Sequence, residues 1–334
     1  MQKKVIILLI PFLLIIPIVA LVLNLNKSTI TNKTPLWDFR AVDTVKYSRD
    51  LTGQMIDKPE FDSVINEQVA DIASLGASHI AIATPYDQNY VPFLERWVRA
   101  ARDHNLKVWF RGNFSGWENW FGFERITRDE HKRLLKEFIE NNPGLFEDGD
   151  IFTSCPECEN GGPGDPRLNG DPEGHKKFLI EEYQISIESF GKIGKKVNSG
   201  FYSMNYDVAK LIMDRETTQA LGNIVVIDHY IKDPVEVSKD AKEIAEISGG
   251  KVVLGEFGAP IPDIHGEFTE EEQSKWIEEG LKAASETEEI IGVNYWVNVG
   301  GSTRLWNDDG TRRKAADTVK NFFTATKLIS PSLK

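Results

Sequence analysis

The sequence predicts an α/β protein, a (β/α)8 TIM barrel preceded by one N-terminal transmembrane or signal-anchor helix. Three observations predict it. From Trp37 onward, a short apolar run, a loop and an amphipathic stretch of helical period return eight times without a linker-like break. That alternation is what a parallel sheet covered by helices requires. The first apolar run leads into Val45-Lys46-Tyr47-Ser48-Arg49 rather than a Gly-rich phosphate loop, which argues against a doubly wound open sheet. Ahead of all this lies Val5 to Leu23, a run without any charged residue. At 1.5 Å per residue, that helix would approach the ~30 Å hydrocarbon thickness of a bilayer.

The chain therefore divides into residues 1–24 as signal anchor or signal peptide, 25–36 as a polar tether, 37–328 as the barrel and 329–334 as a tail. No small-x-small cleavage site follows the apolar run, which favours retention of the anchor over cleavage. Lys3 and Lys4 precede it, so they are expected to stay cytoplasmic and to put the barrel outside. The expected location is the cell membrane, single-pass with an extracellular barrel, or secreted if the segment is cleaved. With 41% hydrophobic and 27% charged residues among 334, the composition is that of a globular protein with a proper core. A net charge of -12 argues against a nucleic-acid partner, which calls for basic patches. A monomer is expected.

In order, the strands are expected at Arg40–Val45, His79–Ala83, Lys107–Phe110, Asp150–Thr153, Lys196–Phe201, Ile224–Asp228, Lys251–Gly255 and Ile291–Trp296. The helices between them show the i, i+3, i+4 recurrence of one buried stripe, as in Phe61-Val64-Ile65-Val69-Ile72 and Phe93-Leu94-Trp97-Val98-Ala101. Other stripes include Ile187 with Phe178, Leu211 with Val208, and Val235 with Val237. Thr269 followed by Glu272 has the form of a capping box, and Gly76, Gly222 and Gly249 stand where helices end.

Barrel chemistry sits at the C-terminal ends of the strands, and several of these ends are unusual. Strand seven is a buried aliphatic run ending in Gly255-Glu256-Phe257-Gly258, a carboxylate between two glycines. Burying a carboxylate is costly unless it is paired or used. Strand four runs into Ser154-Cys155-Pro156-Glu157-Cys158-Glu159-Asn160, which supplies a second one. Strand three is followed by Arg111, Asn113 and an aromatic loop with Trp117 and Trp120. Flat rings among hydrogen-bonding neighbours suit the face of a sugar ring; a loop packing on itself is the other reading. Strands five, six and eight end in Tyr202, in His229-Tyr230 and in Trp296-Val297-Asn298, and Trp306 follows. Two carboxylates among aromatic and amide groups, with no ligand cluster for a metal and no cofactor motif, is the equipment of glycoside hydrolysis.

On Cys-Pro-Glu157 and Gly-Glu256-Phe-Gly, with Tyr295-Trp296 and Asp309-Gly310 after them, the chain resembles the clan A-like retaining (β/α)8 glycosidases that include the cellulases and β-mannanases. The resemblance implies Glu157 at strand four as acid/base and Glu256 at strand seven as nucleophile of a hydrolase acting on an oligo- or polysaccharide, which the N-terminal anchor would make membrane-tethered and extracellular. Arg111, Asn113, Trp117, Trp120, Tyr202, His229, Tyr230, Trp296, Asn298 and Trp306 are the expected substrate-binding residues. Tyr230 or Tyr202 would orient Glu256, Arg111 would keep it ionised, and Trp296 would floor the sugar being cleaved. One departure stands out: the clan carries Asn immediately before its acid/base, and this chain has Pro156. The 2-hydroxyl is then held otherwise, or Glu159 with Asn160 is the working pair, or the barrel is a catalytically inactive carbohydrate-binding protein.

Cys155 and Cys158 are the two cysteines of the chain. Their C-x-x-C spacing lacks the second pair of a zinc site and runs into a Pro/Gly/Asn-rich loop rather than a helix. A local disulfide or two free thiols is the favoured reading, with a redox dithiol as the lesser one.

Overall fold

The computed structural model describes residues 33–114, 122, 124–160 and 164–328. It divides into two compact units, one spanning Pro35–Ala325 and one formed from the chain ends, Met1–Thr34 and Thr326–Lys334. The short strands Lys33–Pro35 and Thr326–Leu328 pair as a two-stranded sheet.

The large unit contains eight parallel strands. They are β1 (Phe39–Asp43), β2 (His79–Ile82), β3 (Lys107–Phe110), β4 (Ile151–Phe152), β5 (Ser203–Asn205), β6 (Ile224–Asp228), β7 (Lys251–Phe257) and β8 (Ile290–Tyr295). They lie in the order β4-β3-β2-β1-β8-β7-β6-β5. The regular ladder is open between β4 and β5. There the sheet curls until one isolated parallel bridge, Ile151 to Asn198, joins its two edges. The amide of Phe152 donates to the Asn198 carbonyl at 2.8 Å across that seam.

Two expectations need correcting. The fifth strand was expected over Lys196–Phe201, but regular pairing with β6 begins only at Ser203. Residues 196–198 hydrogen-bond toward Gly149, Asp150 and Phe152 instead, so this segment serves the seam. The expected membrane-spanning helix is the second. Among the described residues no helix is long and apolar enough to cross a membrane. The segment on which the anchor was placed, and most of the expected tether and tail, lie outside the described residues. The anchor, the tethering and the single-pass location are therefore withdrawn.

Helices follow the strands: α1 (Asp62–Ser74), α2 (Val91–Asp103), α3 (Arg128–Asn141), α4 (Pro172–Lys192), α5 (Tyr206–Ile212), α6 (Glu236–Ser248), α7 (Glu270–Ser285) and α8 (Lys314–Thr324), with short helical turns between some of them. Capping residues set their ends. Thr269 and Glu272 form a full capping box on α7, and Gly249 closes α6 in the left-handed conformation at φ 69°. Three residues expected in buried stripes are exposed: Ile187 at 45%, Leu211 at 41% and Val235 at 52%. Ile187 lies nine residues from Phe178, half a turn round the helix at ~100° per residue. Val235 precedes α6 and lies off its stripe.

Alternation along the strands sorts the core into two. Ala41, Ala81, Trp109, Ile151, Val226 and Val253, with Phe201, fill the inside of the curl. Their neighbours Val42, Ile80, Val108, Phe152, Val225 and Val252 face the helices in the larger cluster. Two residues further along the inward face come Asp43 on β1, Arg111 just beyond β3, Asp228 on β6 and Gly255 on β7. The apolar filling thus gives way to charge at the C-terminal mouth.

Candidate active site

Arg111 is the centre of that charged layer. Its side chain is 4% exposed and its guanidinium spans the mouth. Nη1 donates to Asp43 Oδ2 at 2.7 Å and to the Gly255 carbonyl at 3.2 Å. Nη2 donates to Asp228 Oδ2 and Glu256 Oε1, each at 3.1 Å, and to Ser203 Oγ at 3.2 Å. Burial works against its charge, but Asp228, Asp43, Glu256 and Glu157 outweigh burial and raise its pKa. A planar fork with five donors can serve this many acceptors from several strands at once; a lysine cannot. Asn294 on β8 completes the layer, donating to the Gly255 carbonyl at 2.8 Å and to Asp43 at 3.3 Å.

Glu256 reaches the mouth through a break in register. Strict alternation would send residues 253, 255 and 257 inward. On β7, however, Leu254 pairs with Ile227 while Glu256 pairs with Asp228, so Gly255 is an extra residue and Glu256 turns in. A Cβ on Gly255 would lie 2.2 Å from Asp228 Oδ1 and 2.6 Å from Val226 Cγ1, which is why glycine stands there. Besides Arg111, Glu256 accepts a hydrogen bond from the Tyr230 hydroxyl through its other oxygen. Burial raises the pKa of Glu256, Arg111 opposes that, Asp43 adds to it, and the Tyr230 and Arg111 hydrogen bonds favour the ionised form.

Glu157 approaches from β4. It lies in a turn closed by a disulfide between Cys155 and Cys158, with a left-handed backbone at φ 45°. Its amide donates to the Ser203 carbonyl at 2.8 Å. One carboxylate oxygen each from Glu157, Asp228 and Glu256 lie within 4.8 Å of one another. Burial, then the charges of Glu256, Asp228 and Glu159, push Glu157 well above the usual carboxylate range against the pull of Arg111. Among the described residues no hydrogen-bond donor reaches its carboxylate. Three carboxylates this close could chelate a divalent cation, but Arg111 already supplies the positive charge to two of them.

Glu159 turns elsewhere. Its Oε1 accepts from the Asn205 amide at 2.6 Å, and burial lifts its pKa to about 7. Trp296 packs edge-on to Tyr230 with centroids 6.0 Å apart, and the Lys46 ammonium stands over its ring. The structure thus gathers Arg111, Glu157, Tyr230, Glu256 and Trp296 at the mouth. It places other expected residues differently. Tyr202 is 2% exposed and packs in the core near Glu182, without touching Glu256. His229 stacks on Tyr206 at 4.3 Å and bonds Asp240 at 2.8 Å. Asn298 is buried and donates to Gln68 at 2.8 Å. Trp306 is 2% exposed, packed in the core with Arg312 over its ring, and so offers no sugar platform. The Asn113 carbonyl accepts from the Tyr86 amide at 3.0 Å. Trp117 and Trp120 lie outside the described residues.

Sequence reading missed Asp43, Ser203, Asp228 and Asn294 as members of the site. The signal available was position: each sits at or near a strand's C-terminal end, on the inward face that Arg111 shares.

No protein-family model matches the sequence, and neither does any curated protein. Solved structures do match. The chain is similar to GH5_18 from Streptomyces cattleya in complex with Manb1-4GlcNAc, at 13% identity and TM-score 0.64 over 89% of this chain and 83% of that one. It is similar to the β-D-glucuronidase of Dictyoglomus thermophilum at 14% identity and TM-score 0.57, covering 88% of this chain and 51% of that one. The GH2 β-galacturonidase of Eisenbergiella tayi bound to galacturonate matches at 17% identity and TM-score 0.53, with 78% and 47% covered. The chain therefore spans about half the length of the latter two proteins, at 51% and 47%. At these identities the likeness is one of fold.

Proposed function

We propose that the chain is a retaining glycoside hydrolase that cleaves an oligo- or polysaccharide by double displacement, with Glu256 as nucleophile and Glu157 as acid/base. One observation carries the reading: carboxylate oxygens of Glu157 and Glu256 lie within 4.8 Å of each other at the mouth of the curled sheet. Retaining pairs stand ~5–5.5 Å apart, whereas inverting pairs stand ~6.5–9.5 Å apart to admit a water. The fold likeness to glycosidase domains supports the same reading.

The two carboxyls differ in the way the reaction requires. Arg111 and Tyr230 both donate to Glu256, which favours a carboxylate aimed at an anomeric carbon. Glu157 receives no such donor among the described residues and faces the charge of Glu256, which favours its protonated form. Attack by Glu256 forms the glycosyl-enzyme while Glu157 gives its proton to the departing oxygen. Transfer of Glu256's charge into the new ester bond removes the repulsion on Glu157. The Glu157 carboxylate then takes a proton from water, whose oxygen attacks the anomeric carbon and regenerates Glu256. Trp296 is the flat apolar surface beside this position.

Azide rescue tests the assignment. Glu256→Ala is expected to abolish turnover and to regain it with azide, giving a glycosyl azide of inverted configuration. Glu157→Ala is expected to keep activity on aryl glycosides whose leaving group needs no proton, and azide there gives the retained product. A wild type that binds oligosaccharides but turns none over would instead identify a carbohydrate-binding barrel.

A further inference from the structure

We propose that the Cys155–Cys158 disulfide is a positioning device for the acid/base, closing Cys155-Pro156-Glu157-Cys158 into a ring that aims the Glu157 carboxyl at Glu256. The inference rests on the reading of Glu157 given above. The bond joins residues three apart. Cys155 and Cys158 are 1% and 3% exposed and pack into the core between sheet and helices, so the base of the ring is fixed. Of the two residues between them, Pro156 has its φ set by its own ring. Glu157 is held at φ 45°, a conformation that residues with a side chain seldom adopt unless the surroundings impose it. Two backbone bonds pin the turn from either side, Glu157 to Ser203 and Asn160 to Glu157, each at 2.8 Å.

The carboxyl itself has nothing comparable. Glu256 is oriented by Arg111 and Tyr230, but no donor among the described residues orients Glu157. Its direction must come from the backbone, and the ring supplies it. The charged groups facing it are Glu256, Asp228 and Glu159, which repel its ionised form, and Arg111, which attracts it. Once the ring opens, the side chain is free to turn away from Glu256, and its ionised form escapes that repulsion by doing so. A ring this small removes less loop-closure entropy from the unfolded chain than a long one, so its effect on global stability is correspondingly small. Its effect is local, on the one residue that has to be aimed.

The test uses the full chain with the ring closed and open. The ring is opened with a trialkylphosphine, which gives two electrons to the S–S bond and takes the oxygen of one water to become its phosphine oxide, while that water's two protons end on the two sulfurs. It is opened permanently in Cys155→Ser/Cys158→Ser. The substrates are a 2,4-dinitrophenyl glycoside, whose leaving group needs no proton, and an unactivated oligosaccharide of the same sugar. Opening is expected to lower kcat/KM for the unactivated substrate by about ten- to a hundredfold. The activated one should change by less than about threefold, and reoxidation of the wild type should restore the loss. An equal loss on both substrates with a matching fall in Tm would make the disulfide an ordinary staple; no loss on either would leave the ring without a role. If the oxidised wild type turns over no glycoside at all, the proposed function fails by itself. The ring is then read by carbon-13 NMR titration of the Glu157 carboxyl, assigned by difference from Glu157→Gln. Opening should bring its midpoint down toward the ordinary carboxylate range, and an unmoved midpoint overturns the inference.

Discussion

Replacing Arg111 by Met keeps most of the side chain's volume and removes the only cation that, among the described residues, bonds to Asp43, Asp228 and Glu256. The Asp43 and Asp228 side chains are 2% and 1% exposed, so neither can recover its solvation in water. Leaving one partner of a buried ion pair uncompensated costs about 3–5 kcal/mol. For a domain of this size each kcal/mol shifts Tm by about 2 °C, so a fall of about 6–10 °C is expected near pH 8. The pH dependence distinguishes this cause from lost packing. Burial already raises Asp228 and Glu256, and Arg111 is the group that pulls both down. Without it both rise further. A carboxyl whose folded pKa is raised contributes its stability in full below its unfolded pKa, near 4, and loses it as pH rises through the folded value. The R111M deficit should therefore be largest at alkaline pH and shrink toward pH 5, as the stranded carboxylates take up protons. Calorimetry on wild type, R111M and R111K across that range makes the comparison. R111K should fall between the other two, because an ammonium keeps the charge but not the fork. A deficit that stays constant with pH, or stays under about 1 kcal/mol, would refute the charge argument.

Three further outcomes follow from the same geometry. Tyr230→Phe removes one of the two donors to Glu256, and a hydrogen bond to a charged group is worth about 1.5–3 kcal/mol, so kcat should fall about ten- to a hundredfold with Tm little changed; unchanged kcat would sever Tyr230 from the reaction. Trp306→Ala should destabilise the fold by about 3–5 kcal/mol, as expected for a buried aromatic, while Trp296→Ala should weaken oligosaccharide binding instead; the reverse pattern in denaturation and binding titrations would exchange their roles. The alkaline limb of kcat/KM on unactivated substrates should lie above the ordinary carboxylate range, because burial and Glu256 raise Glu157. Glu157→Gln should remove that limb, and a limb that persisted would assign it to another group.

Much of this was legible in the chain. Apolar runs with β-branched residues and glycine ends marked seven of the eight strands near their observed places, because a strand covered on both faces can contain little else. Helical stripes and the Thr269–Glu272 box marked the helices, since capping and the 3.6-residue period are local properties. Glu157 and Glu256 stood out because a carboxylate at the end of a buried strand calls for an explanation. The Lys196–Phe201 segment misled, because in Lys-Val-Asn-Ser-Gly-Phe only Val197 and Phe201 are apolar side chains, too few to show where regular pairing begins.

What the sequence determined alone was the alternation, the inward-facing periodicity and the presence of charge at strand ends, all of them properties of residues near one another in the chain. Tertiary structure decided the rest. That Arg111 gathers carboxylates from β1, β6 and β7, that Tyr230 rather than Tyr202 meets Glu256, and that Trp306 is core follow from contacts between residues far apart in sequence. Glu256 itself turns inward only because the register with β6 slips at Gly255. A slip of one residue reverses the face of every side chain beyond it, and pairing between strands sets it, not the chain's own period.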